Sequence, residues 1–198
     1  MFEEPIPFLS TDEAATLLRI ARDAVVAGVR GEDVVLGHYP LTPRLQEKHG
    51  AFVTLRCHGE LRGCIGYTRG IKSLAETVCD NAMNAALRDP RFPPLTVDEL
   101  PHVSIEISAL CPGLTADSPF IPVNDISEIV LGRDGLFLER AGPRGGGLLL
   151  PHVAIEQGWN LHQFLAGVCR KAGALDDAWR QPGIQLYRFS AHVFSERS

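Results

Sequence analysis

Apolar residues recur at helical spacing through Leu17, Leu18, Ala21, Ala24, Val25 and Gly28, directly after Ser10-Thr11-Asp12-Glu13. Ser10 followed by Glu13 three positions later is a capping box. The spacing therefore predicts an amphipathic helix over 11–29 that closes near Gly28. Residues 30–50 carry Gly31, Gly37, Pro40, Pro43 and Gly50 and read as a structured loop with one helical turn near Leu45. The period then changes to two. Ala51–His58 and Leu61–Tyr67 flank Gly59-Glu60, which predicts a β-hairpin with glycine first in a type II′ turn. That turn would set Cys57 opposite Arg62 and Leu55 opposite Cys64, with Cys57, Arg62, Cys64, Val53 and Leu55 on one face.

Ser73-Leu74-Ala75-Glu76 is a second capping box, opening an alanine-rich helix to about Arg88 that buries Leu74, Val78, Ala82, Ala85 and Ala86. It ends ahead of Pro90, because the residue before a proline avoids the helical region. Thr96–Glu99 caps a short turn, and Val103–Ser108 alternates as a half-buried strand. Leu136–Arg140 and Leu148–Leu150 pair across the glycine-rich segment 142–147. Helices follow over 153–159 and 161–172, ending at Gly173, and Ile184–Phe194 reads as one closing strand. Strand pairs and helices without βαβ alternation predict an α+β fold, a largely antiparallel sheet with flanking helices. No repeat or linker divides residues 1–198.

Composition narrows the classes. A 198-residue chain, 45% hydrophobic and 22% charged, has the material for one large domain or two small lobes. No apolar run approaches the ~18 residues that span a bilayer. The start, Met1-Phe2-Glu3-Glu4-Pro5, lacks the basic and apolar regions of a signal peptide, so a cytoplasmic location is expected. With 19 basic against 24 acidic side chains the net charge is −5, which argues against nucleic acid as a partner. Five cysteines at irregular spacing, with no CxxC, fit reduced thiols better than disulfides or a zinc ribbon.

Three stretches can carry chemistry. In Leu61-Arg62-Gly63-Cys64-Ile65-Gly66 a guanidinium lies near a thiol, and a nearby cation favours the thiolate, the nucleophilic and metal-binding form. Cys64 and Arg62 are thus the candidate catalytic pair. Gly63 and Gly66 would leave room for a ligand or another backbone to approach. The competing reading buries Cys57 and Cys64 in the core and pairs Arg62 with a carboxylate. In Asp89-Pro90-Arg91-Phe92-Pro93-Pro94, Asp89 and Arg91 are candidate ligand-binding residues, against a structural reading in which they lock a turn and Phe92 enters the core. His152 and Glu156, four apart on a helix, complete the ligand-binding candidates, against ordinary surface polarity. The glycines at 145–147 match neither GxxxxGK[ST] nor GxGxxG and read as a hairpin loop.

Taken in order, LRGCIG over 61–66, Asn84-Ala85-Ala86, Asp89–Phe92, Glu99-Leu100, Ile105–Leu110, Gly132–Leu136, Leu149–Pro151, Glu156–Trp159, Phe164-Leu165 and Cys169–Gly173 resemble the AMMECR domain family, called AmmeMemoRadiSam system protein A in prokaryotes. The likeness runs from about Ala14 to Glu196. It implies one AMMECR-type α+β domain of two unequal lobes with a cleft between them and the LRGCIG stretch close by. It also implies partners, a Memo-type protein and a radical-SAM enzyme. The positions carried over are Arg62, Gly63, Cys64, Gly66, Asp89, Arg91 and Phe92; His152 stands where the family pattern has Gln. The expected role is a small-ligand or redox-associated component of that system. The alternatives are a non-catalytic protein-interaction module or a nucleic-acid- or translation-associated factor. Cofactor, metal, substrate and oligomeric state are left open.

Overall fold

Ser10 begins the first helix as its pattern requires: its hydroxyl accepts the Glu13 N–H at 3.2 Å, and the Glu13 carboxylate accepts the Ser10 N–H at 2.9 Å. In chain order the elements are α1 (Thr11–Arg30), α2 (Pro43–Gln46), β1 (Ala51–Cys57), β2 (Glu60–Tyr67), α3 (Leu74–Leu87), β3 (Val103–Leu110) and β4 (Ile121–Pro122). They continue with β5 (Gly135–Glu139), β6 (Gly146–Leu149), α4 (His152–Glu156), α5 (Leu161–Lys171), β7 (Gln185–Phe189) and β8 (Ala191–Ser195). This computed structural model describes residues 8–115, 118–140 and 146–196. The described residues up to Leu110, with those from His192 onward, form one unit, and Cys111–Ala191 a second. No helix among the described residues is long and apolar enough to cross a membrane.

In the first unit α1 and α3 cover one face of a four-stranded sheet ordered β2-β1-β3-β8. Leu17, Ile20, Ala21, Ala24 and Val25 of α1 are fully buried with Leu74, Val78 and Ala82 of α3 and with Val53, Leu55 and Ile107 of the sheet. Gly28 does not close α1. A Cβ there would lie 2.9 Å from Met83 Cγ of α3, so this glycine admits a close helix crossing. The helix ends at Gly31, which takes the left-handed conformation (φ 72°) that glycine adopts without strain.

The hairpin forms, but with a different turn. His58 and Gly59, both at positive φ (52° and 84°), make the two-residue connection, so Cys57 pairs with Glu60. Positive φ at both central residues is the type I′ pattern, not II′. A bulge between Leu55 and Arg56 then makes Arg62 the extra residue: Arg56 pairs with Leu61, Leu55 with Gly63 and Thr54 with Cys64. The earlier turn and the bulge together slip the register by one residue, which turns Cys64 to the face opposite Val53 and Leu55. The predicted grouping of Cys57, Arg62 and Cys64 on one face is therefore corrected.

In the second unit the sheet order is β4-β7-β5-β6. Phe164, Leu165, Val168 and Cys169 of α5 are fully buried with Leu136, Leu138 and Ala154. Gly147 admits α5: a Cβ there would sit 2.3 Å from the Ala172 nitrogen. The connection over 141–145, part of the predicted glycine-rich loop, lies outside the described residues. The run Ile184–Phe194 is not one strand. It divides at Ser190 into β7, paired with β4 and β5, and β8, beside β3. The fold is thus α+β with antiparallel pairing, in two sheets rather than one.

Candidate functional site

Cys64 lies on β2, the outer strand of its sheet. An edge strand presents backbone groups with no strand to pair them. At Cys64 a side-chain pair takes that place. The Cys64 N–H donates to Asp89 Oδ2 at 2.8 Å, and the Arg91 guanidinium donates to the Cys64 carbonyl at 3.3 Å. The two are locked together in turn: Arg91 donates from Nε to Asp89 Oδ1 at 2.9 Å, from Nη2 to Oδ2 at 2.6 Å, and from its backbone N–H to Oδ1 at 3.1 Å. Pro90 fixes the turn between them. The Arg91 hydrogen bonds hold the Asp89 carboxyl far below the usual carboxylate range, outweighing burial, with the Cys64 N–H adding to the effect. A charged hydrogen-bond pair thus acts as a one-residue strand, fixing the main chain under the thiol.

Beyond its backbone, Cys64 belongs to a row across the sheet. Thr54 is its partner on β1 and Glu106 is the partner of Thr54 on β3, so thiol, hydroxyl and carboxyl residues occupy three adjacent strands at one level. The Thr54 hydroxyl donates to Cys64 Sγ at 3.3 Å. Thr54 is buried, whereas Cys64 and Glu106 are part-exposed. The sulfur of the part-exposed Cys64 therefore has a fixed donor. All five cysteines are free thiols. Burial pushes the Cys79 thiol up to about 11, and burial raises Cys169 as well.

Arg62, displaced by the bulge, is committed to protein groups. Its Nε and Nη2 grip the two Glu99 oxygens at 2.7 and 3.1 Å, and Nη1 and Nη2 donate to the Pro93 and Pro94 carbonyls at 2.9 and 3.4 Å. Arg62 hydrogen bonds, with help from the Thr96 N–H, lower the Glu99 carboxyl to about 2. Phe92 does not enter the core: it is half-buried, with the Arg62 and Arg91 guanidinium carbons 5.9 and 5.5 Å from its ring centroid. Gly63 and Gly66 serve packing. A Cβ at Gly63 would lie 2.1 Å from the Ala85 carbonyl oxygen of α3, and one at Gly66 would strike the Phe52 ring at 2.2 Å.

Of the residues singled out in the sequence, Arg62, Gly63, Cys64, Gly66, Asp89 and Arg91 gather around β2 in the first unit. His152 and Glu156 occupy the two ends of the short α4 in the second. Thr54, Glu106 and Glu99 join the group around β2 without being among the candidate site residues of the sequence, although a carboxylate partner for Arg62 is one of its two readings. Thr54 and Glu106 become visible only once the bulge is placed, while the Thr96–Glu99 capping box offered the one local hint of Glu99. Among the described residues no group of three or more His, Cys, Asp and Glu side chains is arranged to hold a metal ion.

A family model described as AMMECR1 matches residues 18–194. A protein of Thermofilum pendens is 42% identical over 198 residues, covering 95% of this chain and 92% of its own. A Methanocaldococcus jannaschii protein is 39% identical over 194 residues, again covering 95% and 92%. The crystal structure of an uncharacterized protein from Pyrococcus horikoshii superposes with a TM-score of 0.82 at 35% identity, over 91% of this chain and 90% of that one.

Proposed function

This chain belongs to the AMMECR1 family, and we propose that it is a small-ligand or redox-associated component acting with a Memo-type protein and a radical-SAM protein, through the thiol of Cys64. One observation carries the reading: the sulfur of the part-exposed Cys64 receives the Thr54 hydroxyl while Asp89 and Arg91 bind the N–H and C=O of the same residue. A cysteine that served only to fill space would need neither device. The hydroxyl fixes where the sulfur sits, and cysteine sulfur is the atom that attacks electrophiles. In this reading Cys64 is the reactive group, Thr54 its donor, and Asp89, Arg91 and Arg62 are positioning residues. Four of the five guanidinium donors of Arg62 already have partners, which favours positioning over the catalytic role expected of it.

The test is co-expression of this chain with a Memo-type and a radical-SAM partner, comparing wild type with Cys64→Ser. The reading expects near-stoichiometric co-purification in both cases and loss of the assembly's turnover, by about tenfold or more, in the variant alone. A purely structural docking module would co-purify equally and lose nothing on substitution. Absence of co-purification overturns the partnership.

A further inference from the structure

A second constellation stands apart from the thiol, where the first hairpin turns over the end of its sheet. The register of β1 on β3 runs from Ala51 opposite Ala109 to Cys57 opposite Val103. The ladder ends at that rung; just beyond it His58, in the turn, and His102, at the end of the short 3-10 segment Val97–His102, bring their rings together, with centroids 4.6 Å apart and planes inclined by 31°. Both residues are exposed. Among the described residues neither imidazole makes a hydrogen bond or ion pair. His58 is also the one non-glycine residue at positive φ among those described. A type I′ turn needs positive φ at that position, which histidine, like asparagine and aspartate, adopts more readily than other side chains.

We propose that His58 and His102 form a two-histidine site for a divalent transition ion of the zinc or nickel class, with water completing the coordination. Imidazole nitrogen suits those ions, while calcium and magnesium require oxygen ligands. The turn after β1 and the segment entering β3 already hold the two rings side by side, so the two ligands are together before the ion arrives. With only two protein ligands the ion keeps open positions and exchanges, unlike the closed four-ligand sites that hold a fold together.

Zinc chloride titrated into untagged full-length protein, followed through the histidine ring resonances by NMR, tests the site. The His58 and His102 signals are expected to move together and ahead of those of the other five histidines. His58→Asn keeps the turn, because asparagine accepts positive φ, and His102→Ala removes an exposed side chain. Each should weaken zinc binding by at least about tenfold, since even a partner outside the coordination shell is worth that much. The far-ultraviolet circular dichroism of both variants should match wild type. Movement of other histidine signals first, titration of the variants like wild type, or no ring movement at large zinc excess would each overturn the site.

Discussion

Two buried carboxylates in this chain have nearly the same local chemistry and serve different ends. Asp89 in the first unit and Asp134 in the second each expose 2% of the side chain and are each gripped by an arginine one or two residues away, Arg91 (49% exposed) and Arg133 (54%). Each also accepts a backbone N–H at 2.8 Å. For Asp134 the donor is Val130, four residues back, which closes a local turn, with Arg188 of β7 at 3.9 Å from the same carboxylate. For Asp89 the donor is Cys64, 25 residues away on another element. The same device closes a loop in one case and fixes a strand bearing a thiol in the other. What a buried ion pair does is thus decided by where the backbone N–H outside the pair comes from.

Substitutions can break that comparison in order of size. Gly63→Ala should cost most, about 3 kcal/mol in urea unfolding, because the added methyl meets a helix carbonyl that cannot swing aside. Asp89→Asn and Asp134→Asn should each cost about 2 kcal/mol, the range for hydrogen bonds to charged groups. They should part company at the thiol: only Asp89→Asn should change the rate at which Cys64 is alkylated. If both changed it equally, the distinction between the two pairs would be lost.

Acid offers a finer probe. Asp89 and Glu99 both titrate lower in the folded protein than in the unfolded chain, Glu99 at about 2, each mainly through arginine hydrogen bonds. A carboxyl depressed by folding contributes stability above its unfolded pKa and loses it as pH falls toward the folded value. Unfolding free energy should therefore decline below about pH 4.5 and continue to fall toward pH 2, and Asp89→Asn should flatten part of that slope. An equally steep decline in the variant would contradict the assignment. Smallest is Thr54→Val, a near-isosteric change expected to cost under about 1.5 kcal/mol of stability. Its effect should appear at the sulfur, as a slower Cys64 reaction.

Elements whose signals are local were legible in the sequence. The capping boxes at Ser10–Glu13 and Ser73–Glu76, the strand Val103–Ser108 and the Asp89–Arg91 pair all stand where the pattern puts them. Features decided at a distance were not. The bulge at Arg62 is coupled to Gly63 lying against α3 and to Glu99, 37 residues on, neither of which a hairpin motif contains. Gly28 looks like a helix stop until Met83 is seen against it. Ser190 interrupts an alternating run because its two halves pair with different sheets. For the site, the residue types were legible but the face was not. A one-residue slip moved Cys64 away from the aliphatic side and into the row with Thr54 and Glu106.

The central claim is that the Cys64 sulfur is a positioned, reachable thiol. Iodoacetamide labelling of the native protein at neutral pH, resolved by peptide mass spectrometry, tests it most directly. Cys64 should be modified well ahead of the buried Cys79 and Cys169, and more slowly in Thr54→Val. Protection of Cys64 equal to that of Cys79, lifted only on unfolding, would contradict the account.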